Sequence, residues 1–526
     1  MNFPVDSLRQ IDEEYIDSLS LEKLRHLSKK MLDDLREARD RLNQTPENSS
    51  RPSGSFAPWE KGSRPQEEEE EEEEQKEEAE KSEDSSEKDK ATQSEDKDSP
   101  SKSEPENKRK AGKQPGAQGF GRRIELPITG EEIHKPSTCS ACGEIFGEDT
   151  PFYPKTGRYE LDVERKETGL EITHIKHIYG DCVCACGHET SDRPGRSAVE
   201  EGWHVEITEW HLVGPTLVAL IVSLAMRMRL SRKRIQEFLA DWLGVKLCVG
   251  TINQCILECG RAVSPLEGEL IVEIQKSNLL YVDETGWPEG GKLKWLWVLR
   301  TTTVTLYMIG KRSWDVIAAV MEKFAGWLMS DGYPQYRKYG KRLRCLAHII
   351  RKARGLSESS HSEAKRFGEK VLEIINLFIA GIYQARSDPD IDLEEKFAEK
   401  LAGLKDWCEK HREHPHAKTK ALARELLNDW DAIWTVLKYP ALPITNNLAE
   451  RLLRHWVIAR KINLGTRTAE GSRAYESLAS VIDTCRQRDV LPWPYIASVL
   501  AERRKGNSAP PIPQFQSVGS PIVPGE

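Results

Sequence analysis

No apolar run in these 526 residues is long enough to cross a bilayer. The longest, around Leu217 to Met226, is too short and is followed by Arg227 and Arg229. The first residues are acidic and polar, so no secretory leader is expected and a cytoplasmic place follows. Cysteine is sparse, and its eleven copies are an odd number with five of them clustered. That argues against a disulfide framework and for metal binding in a reducing compartment. A general excess of one charge is missing too. The net charge of −8 is local: between Gln66 and Asn107 twenty Asp and Glu meet six Lys, so this tract carries −14 and the rest of the chain +6. A mildly basic protein bearing an acidic tract suits a nucleic-acid partner.

At this length the chain can hold two or three domains with cores of their own. Leu21, Leu24, Met31, Leu35, Ala38 and Leu42 fall on a and d positions of a heptad, with Ser28 as the one polar a position. This predicts either a coiled coil of about three heptads ending before Pro46 or an amphipathic helix packed on the chain's own core. From Asn48 to Asn107 the chain is Ser, Pro and charge, including eight consecutive glutamates from Glu67. Such a segment cannot bury enough apolar area to order itself. The basic, Gly-rich stretch from Lys108 to Arg123 reads as an arm on phosphates or a solvated linker.

Cys139-Ser140-Ala141-Cys142-Gly143 is followed, some forty residues on, by Cys182-Val183-Cys184-Ala185-Cys186-Gly187-His188. Two close cysteine groups have the spacing of a tetrahedral structural zinc site. Each ends in Cys-Gly, where glycine lets backbone amides turn toward sulfur. The second group offers more ligands than places; Cys184 and Cys186 are favoured, with Cys182 as the alternative. One structural Zn²⁺ is expected.

Residues 201–270 read as helical, with Ser231 opening one helix and Thr251-Ile252-Asn253 inside another. A helix-turn-helix that binds DNA and plain helical packing both fit. Leu279 to Val282 reads as a buried strand with Asp283 at its end, left through Gly286 and Pro288. Lys294–Leu299 and Val304–Ile309 are two further strands, Trp314–Phe324 a helix with Ser313 as N-cap, Gly326–Asp331 a strand, and Arg344–His348 a fifth. This order predicts a mixed sheet with helices on it. Residues 355–440 look wholly helical and read as an insertion; the Pro-rich tail after Asn507 reads as disordered.

Asp283, Asp331 and Glu450, the last in the first turns of a helix, can converge as an oxygen-ligand site for Mg²⁺. Three acids on two such ions suit phosphodiester chemistry; alone, the acids would equally suit a glycosidase pair. Arg351, Lys352, Arg451, Arg454, Arg460 and Lys461 stand near these acids in the sequence and are the DNA-binding candidates. His348 is either a phosphate contact or a satisfied strand-end histidine.

Several motifs resemble the IS66-type transposases: Asn48-Ser49-Ser50-Arg51-Pro52-Ser53 after a leucine-rich coil, Lys113-Gln114-Pro115-Gly116, Asp283-Glu284-Thr285, Ser330-Asp331-Gly332-Tyr333, Cys345-Leu346-Ala347-His348, and Asn446-Asn447-Leu448-Ala449-Glu450-Arg451 followed by Arg460-Lys461. Ala117 departs from the pattern, where such proteins often carry His, and so does the acidic tract from Glu67. The resemblance implies a multidomain α/β protein. Its catalytic domain would be ribonuclease-H-like, with a mixed sheet, an all-helical insertion and a metal-dependent Asp-Asp-Glu triad on Asp283, Asp331 and Glu450. It would use Mg²⁺ or Mn²⁺, two ions at the site. The expected partners are double-stranded DNA (terminal inverted repeats and target), further copies of the chain, at least a dimer on DNA, and helper proteins of the same element, in a bacterial cytoplasm at the nucleoid. The alternative is a catalytically silent, zinc-dependent DNA-binding descendant. The expected organisation is a coiled coil over 1–45, an acidic linker with basic arm over 46–123, a zinc-finger domain over 124–200, and a helical DNA-binding region over 201–270. The catalytic domain follows over 271–354 and 441–506, split by a helical insertion at 355–440, with a disordered tail at 507–526.

Overall fold

Strand-forming runs cluster in two places along the chain, and each builds a sheet. The computed structural model describes residue 16, residues 19–42 and residues 126–514 except 168, 199 and 201. The expected acidic linker, the basic arm and the last twelve residues lie outside these. The heptad segment is a helix, α1 (Leu21–Leu42). Leu21 and Leu35 are 66% and 67% exposed, so these two do not pack on the chain's own core.

The first sheet has β1 (Gly130–His134), β2 (Phe152–Lys166), β3 (Gly169–Val183) and β4 (Glu189–Ser191). β2 and β3 form a long antiparallel hairpin, running from Phe152 opposite Cys182 to Lys166 opposite Gly169. β1 lies parallel to β3 at the edge, and β4 pairs antiparallel with the end of β3. Alternate residues Leu161 and Val163 turn inward, as a one-sided sheet requires.

Four helices follow: α2 (Pro215–Met226), α3 (Arg232–Leu243), α4 (Val249–Val263) and α5 (Leu266–Gln275). Ser231 caps α3 through its side chain, and Gly244, with φ of 65°, closes it. α4 is buried along most of its length. At Gly260 a β-carbon would stand 2.4 Å from that of Ala474, so only glycine permits this approach. The second helix of the expected helix-turn-helix is therefore packed inside the protein. α3 is the exposed member, with Trp242 78% exposed.

The second sheet has the order β7-β6-β5-β8-β9. Its strands are β5 (Leu279–Glu289), β6 (Lys292–Arg300), β7 (Thr305–Gly310), β8 (Trp327–Ser330) and β9 (Arg342–Arg344). β5, β6 and β7 are antiparallel neighbours, and β8 and β9 run parallel to β5. β5 does not stop at Asp283. It continues through Pro288 because β6 keeps pairing with it, as far as the turn at Gly290 and Gly291, whose φ angles are 55° and 81°. The expected helix over Trp314–Phe324 is a 3₁₀ turn (Trp314–Val316) and a single-turn helix, α6 (Ala318–Met321). Ser313 does not cap it; its hydroxyl turns to Asp315. The expected fifth strand stops at Arg344. Cys345 precedes helix α7 (Leu346–Ser357), whose buried Leu346, Ile349, Ala353 and Leu356 follow the helical period.

The helices α8 (Ser362–Ser387), α9 (Leu393–His411), α10 (Ala417–Asn428) and α11 (Trp430–Lys438) share one apolar core with α7, including Phe367, Phe378 and Trp434. The chain then returns in α12 (Asn447–Asn463), α13 (Ala469–Gln487) and α14 (Pro492–Arg504). α13 covers β7, where Tyr307 donates a 2.8 Å hydrogen bond to buried Asp483. Residues 508–514, at the start of the Pro-rich tail, pack on the protein: Ile512 is buried, and the carbonyls of Pro510 and Ile512 accept from Tyr495 and Arg488. Prolines lack N–H groups, but their carbonyls still bind donors.

Candidate active site and metal centres

Parallel pairing of β5 with β8 matches Tyr281 to Met329. Asp283 and Asp331 each lie two residues further on, at equivalent places past the end of that pairing and on one face. Asp331 is fixed by its own turn, with Oδ1 accepting from the Tyr333 amide at 2.9 Å. The third acid arrives with α12. Buried Asn446, at the start of that helix, donates from Nδ2 to the Val282 carbonyl at 2.9 Å. Its amide also approaches the Cys345 sulfur at 3.2 Å. Arg300 holds the Leu448 carbonyl at 3.1 Å. These contacts set the first turn of α12, and Glu450 in it, beside Asp283. A helix N-terminus favours negative charge.

The acids feel one another's charge. Burial pushes the Asp283 carboxyl well above the usual carboxylate range, and the charges of Asp331, Glu284 and Glu450 add to it. The hydrogen bond that opposes this is the Glu284 amide, 2.9 Å from Oδ1. Glu450 receives Arg351 at 3.4 Å on one oxygen. Its other oxygen faces His348 Nδ1 at 3.5 Å, and neither of those two atoms has a hydrogen-bond partner among the described residues. Burial pushes the His348 imidazole down to about 4, so at neutral pH it brings no positive charge. Asn446 Oδ1 is buried without a partner as well. Carboxylates and orphaned oxygens with too little positive charge among them are the donor set that a hard divalent cation completes.

His348 lies on α7 and not on a strand, because the helical period of its neighbours takes over at Leu346. The six basic candidates divide. Arg351 faces Glu450. Lys352 is taken by Glu425 of α10 at 2.7 Å, and so braces the insertion. Arg460 turns inward to Thr285 at 3.0 Å and to the Gly286 carbonyl. Arg451, Arg454 and Lys461 are exposed on α12. The sequence reading gave Glu284 no role. Here it accepts two bonds from Arg312, at 2.9 and 3.1 Å, and one from Tyr336 at 2.5 Å. Arg312 in turn lies between the rings of Trp295 and Tyr333, 4.1 and 4.3 Å from their centroids. The acid next to Asp283 in the sequence was the available signal.

The insertion is keyed to the same face. Asp429 binds Arg337 at 2.8 Å, Arg342 at 2.9 Å and Arg344 at 3.2 Å, and Glu425 binds Arg344 at 2.5 Å. A β-carbon at Gly332, next to Asp331, would stand 2.7 Å from the Arg344 guanidinium and 2.8 Å from the Glu425 carboxylate and would have to displace that ion pair.

At one end of the first sheet Cys139, Cys142, Cys184 and Cys186 bring their sulfurs within 4.8 Å of one another. The alternative ligand, Cys182, is fully buried in β3 opposite Thr190 and stands outside that group. Gly143 and Gly187, at φ of 76° and 81°, turn each knuckle. The Cys142 amide, pointing at the Cys139 sulfur, leads the effects that bring this thiol down to about 6. Four converging sulfurs suit a tetrahedral zinc site.

The family model described as Transposase IS66 family matches residues 211–474, just over half of the chain and all three acids. Among curated proteins the chain is similar to three from Sinorhizobium fredii. It is 23% identical over 298 residues to Uncharacterized protein y4qI, covering 50% of this chain and 54% of that one. It is 24% identical to y4jO, covering 33% and 52%, and 23% identical to y4hP, covering 70% and 71%. The chain thus spans about half the length of the first two. No helix among the described residues is long and apolar enough to cross a membrane.

Proposed function

The chain belongs to the IS66 transposase family, and on that footing we propose that it is a metal-dependent DNA transposase whose chemistry rests on Asp283, Asp331 and Glu450. The observation that carries this is that two adjacent parallel strands and one helix start bring three carboxylates near enough for Asp331 and Glu450 to raise the buried Asp283 carboxyl, with Glu450 Oε1 and Asn446 Oδ1 lacking hydrogen-bond partners among the described residues. The sheet order, with three antiparallel strands followed by two parallel ones on the other side of β5, supports a ribonuclease-H-like reading of the domain.

Asp283, Asp331 and Glu450 would hold two Mg²⁺ or Mn²⁺ ions. When bound, such ions lower the pKa of the attacking oxygen and stabilise the departing one. The residues of the chain hold the scissile phosphate in place. Arg351 stands beside Glu450, and Arg451, Arg454 and Lys461 offer positive charge to the backbone along the exposed face of α12. Arg460 and Lys352 support the site from within. In the first step water attacks phosphorus at the element's end. The P–O3′ bond breaks, a 3′-hydroxyl and a 5′-phosphate are left, and the proton passes to solvent. In the second, that 3′-hydroxyl attacks a target phosphodiester and displaces a 3′-oxygen of the target, with no covalent enzyme intermediate. The double-stranded DNA would carry terminal inverted repeats, and the reaction would take place in the cytoplasm. One Zn²⁺ in the four-cysteine cluster would staple the knuckles of the first sheet.

The test is cleavage of a duplex carrying the repeat end by Asp283→Asn, Asp331→Asn and Glu450→Gln. Each should lose about a hundredfold or more in rate, the scale on which a single preorganised electrostatic contact acts, with DNA binding kept. Near-normal cleavage by one variant removes that residue from the triad. A wild-type protein that binds the repeat end but cleaves nothing with Mg²⁺ or Mn²⁺ would be the silent descendant instead.

A further inference from the structure

Three donor atoms meet at a second place on the first sheet, away from the cysteines. β1 and β3 run parallel, with Glu132 opposite His177 and His134 opposite Tyr179. Residues two apart share a face, so Glu132, His134, His177 and Tyr179 all stand on one side of the pair. Their donor atoms close on one point: His134 Nε2 lies 2.9 Å from His177 Nδ1, and Glu132 lies 3.3 Å from His177 and 3.9 Å from His134. The set fits within 4.8 Å. His134 is held flat on the Tyr179 ring, with centroids 4.1 Å apart and planes 3° from parallel. His177 is buried, whereas Glu132 is exposed and leaves one side open to water.

Ligand atoms brought this close need a hydrogen or a cation between them. A single hydrogen between the two imidazoles satisfies that pair and leaves the exposed Glu132 carboxylate to water. A divalent cation satisfies all three. Arg158, opposite His177 on β2, does not fill this role, because its charge is matched by Glu160. Two imidazoles and one carboxylate, with a fourth position open to water, form a tetrahedral N₂O donor set of the kind zinc takes. We propose that Glu132, His134 and His177 form a second divalent-metal site of the zinc class, distinct from the four-cysteine cluster. It gives β1 a cross-link to the rest of the sheet. β1 has five residues and, among the described residues, pairs only with β3, so its hydrogen bonds alone hold it weakly. β3 then serves both sites, carrying His177 in its middle and leading into Cys184 and Cys186 at its end.

The experiment is a count of bound Zn²⁺ on the full chain, stripped and then titrated with Zn²⁺ alone. Asp283→Asn with Glu450→Gln is the background, so that the acids take no ion. Two equivalents are expected, falling to one in His134→Ala and to one in Cys142→Ser. With Co²⁺ as the probe, the equivalent lost in His134→Ala should carry no sulfur-to-cobalt absorption. Glu132→Gln keeps a same-sized exposed side chain and puts folding at little risk; it should weaken the second equivalent by about tenfold or more. Saturation at one equivalent, or a second equivalent unmoved by both His134→Ala and Glu132→Gln, overturns the site in favour of a shared proton.

Discussion

At Asp283 the proposed function and stability pull in opposite directions. Its carboxyl is forced up by burial and by three neighbouring acids, so its charged form strains the metal-free protein. Asparagine keeps the shape and removes that charge. With a chelator present, Asp283→Asn should therefore melt a few degrees higher than the wild type, the scale of about 1 kcal/mol in a domain of this size. Added Mg²⁺ should raise the wild-type melting temperature and leave the variant's nearly unchanged. A variant that melts lower than wild type in chelator would mean that Asp283 is satisfied within the protein. Glu284, one residue on, is pushed up as well by burial and by Asp331, but Arg312 and Tyr336 hold it, and it works as a strut between β5 and the turn after Asp331.

Among the elements, α12 is the one that completes the site, and its packing can be read by pH. His455 on its inner side lies 3.0 Å from the Met226 carbonyl and edge-on to Trp456. Burial pushes this imidazole down to about 4, and Arg227, Arg229 and Arg486 disfavour its charged form further. The folded value is depressed, so its contribution to stability is fully present above the ordinary histidine pKa of about 6.5. It is lost as pH falls from there to about 4. The urea midpoint should drop over that window, and His455→Gln, which keeps a donor for Met226, should flatten part of the drop. His348 shares the window and should leave a residual slope. An unchanged slope in His455→Gln would mean that its ring already takes up a proton when folded.

For the whole molecule, the proposed transposase activity requires that two DNA ends be held together. α1 presents Leu21 and Leu35 to solvent, which is unusual for leucines that follow a heptad. The expected role is a helix-to-helix contact between protomers, auxiliary because three heptads are marginal alone. Replacing Leu24 and Leu35 by Lys would put charge in that seam, where losing its water is costly. Sedimentation with repeat-end DNA should then show fewer paired-end complexes, with single-end binding kept. Unchanged pairing would move the protomer contact to another surface.

The sequence by itself determined the chemistry-bearing residue types and most of the elements. Short apolar runs marked the strands of the second sheet, paired Cys-Gly steps marked the knuckles, and a helical composition marked residues 355–440. Those are local signals, carried by neighbours within a turn or a strand. Tertiary structure alone decided the rest. Register between β5 and β8 set Asp283 level with Asp331, and a hydrogen bond from Asn446 to Val282 brought Glu450 to them across 164 residues of chain. It carried β5 past Pro288, turned Cys345–His348 into a helix start, and buried α4 through Gly260. It also chose Cys184 and Cys186 over Cys182 and joined Glu132 and His134 to His177. Each of these depends on groups far apart in the chain, whose meeting is fixed by packing and pairing and leaves no periodic trace in the sequence.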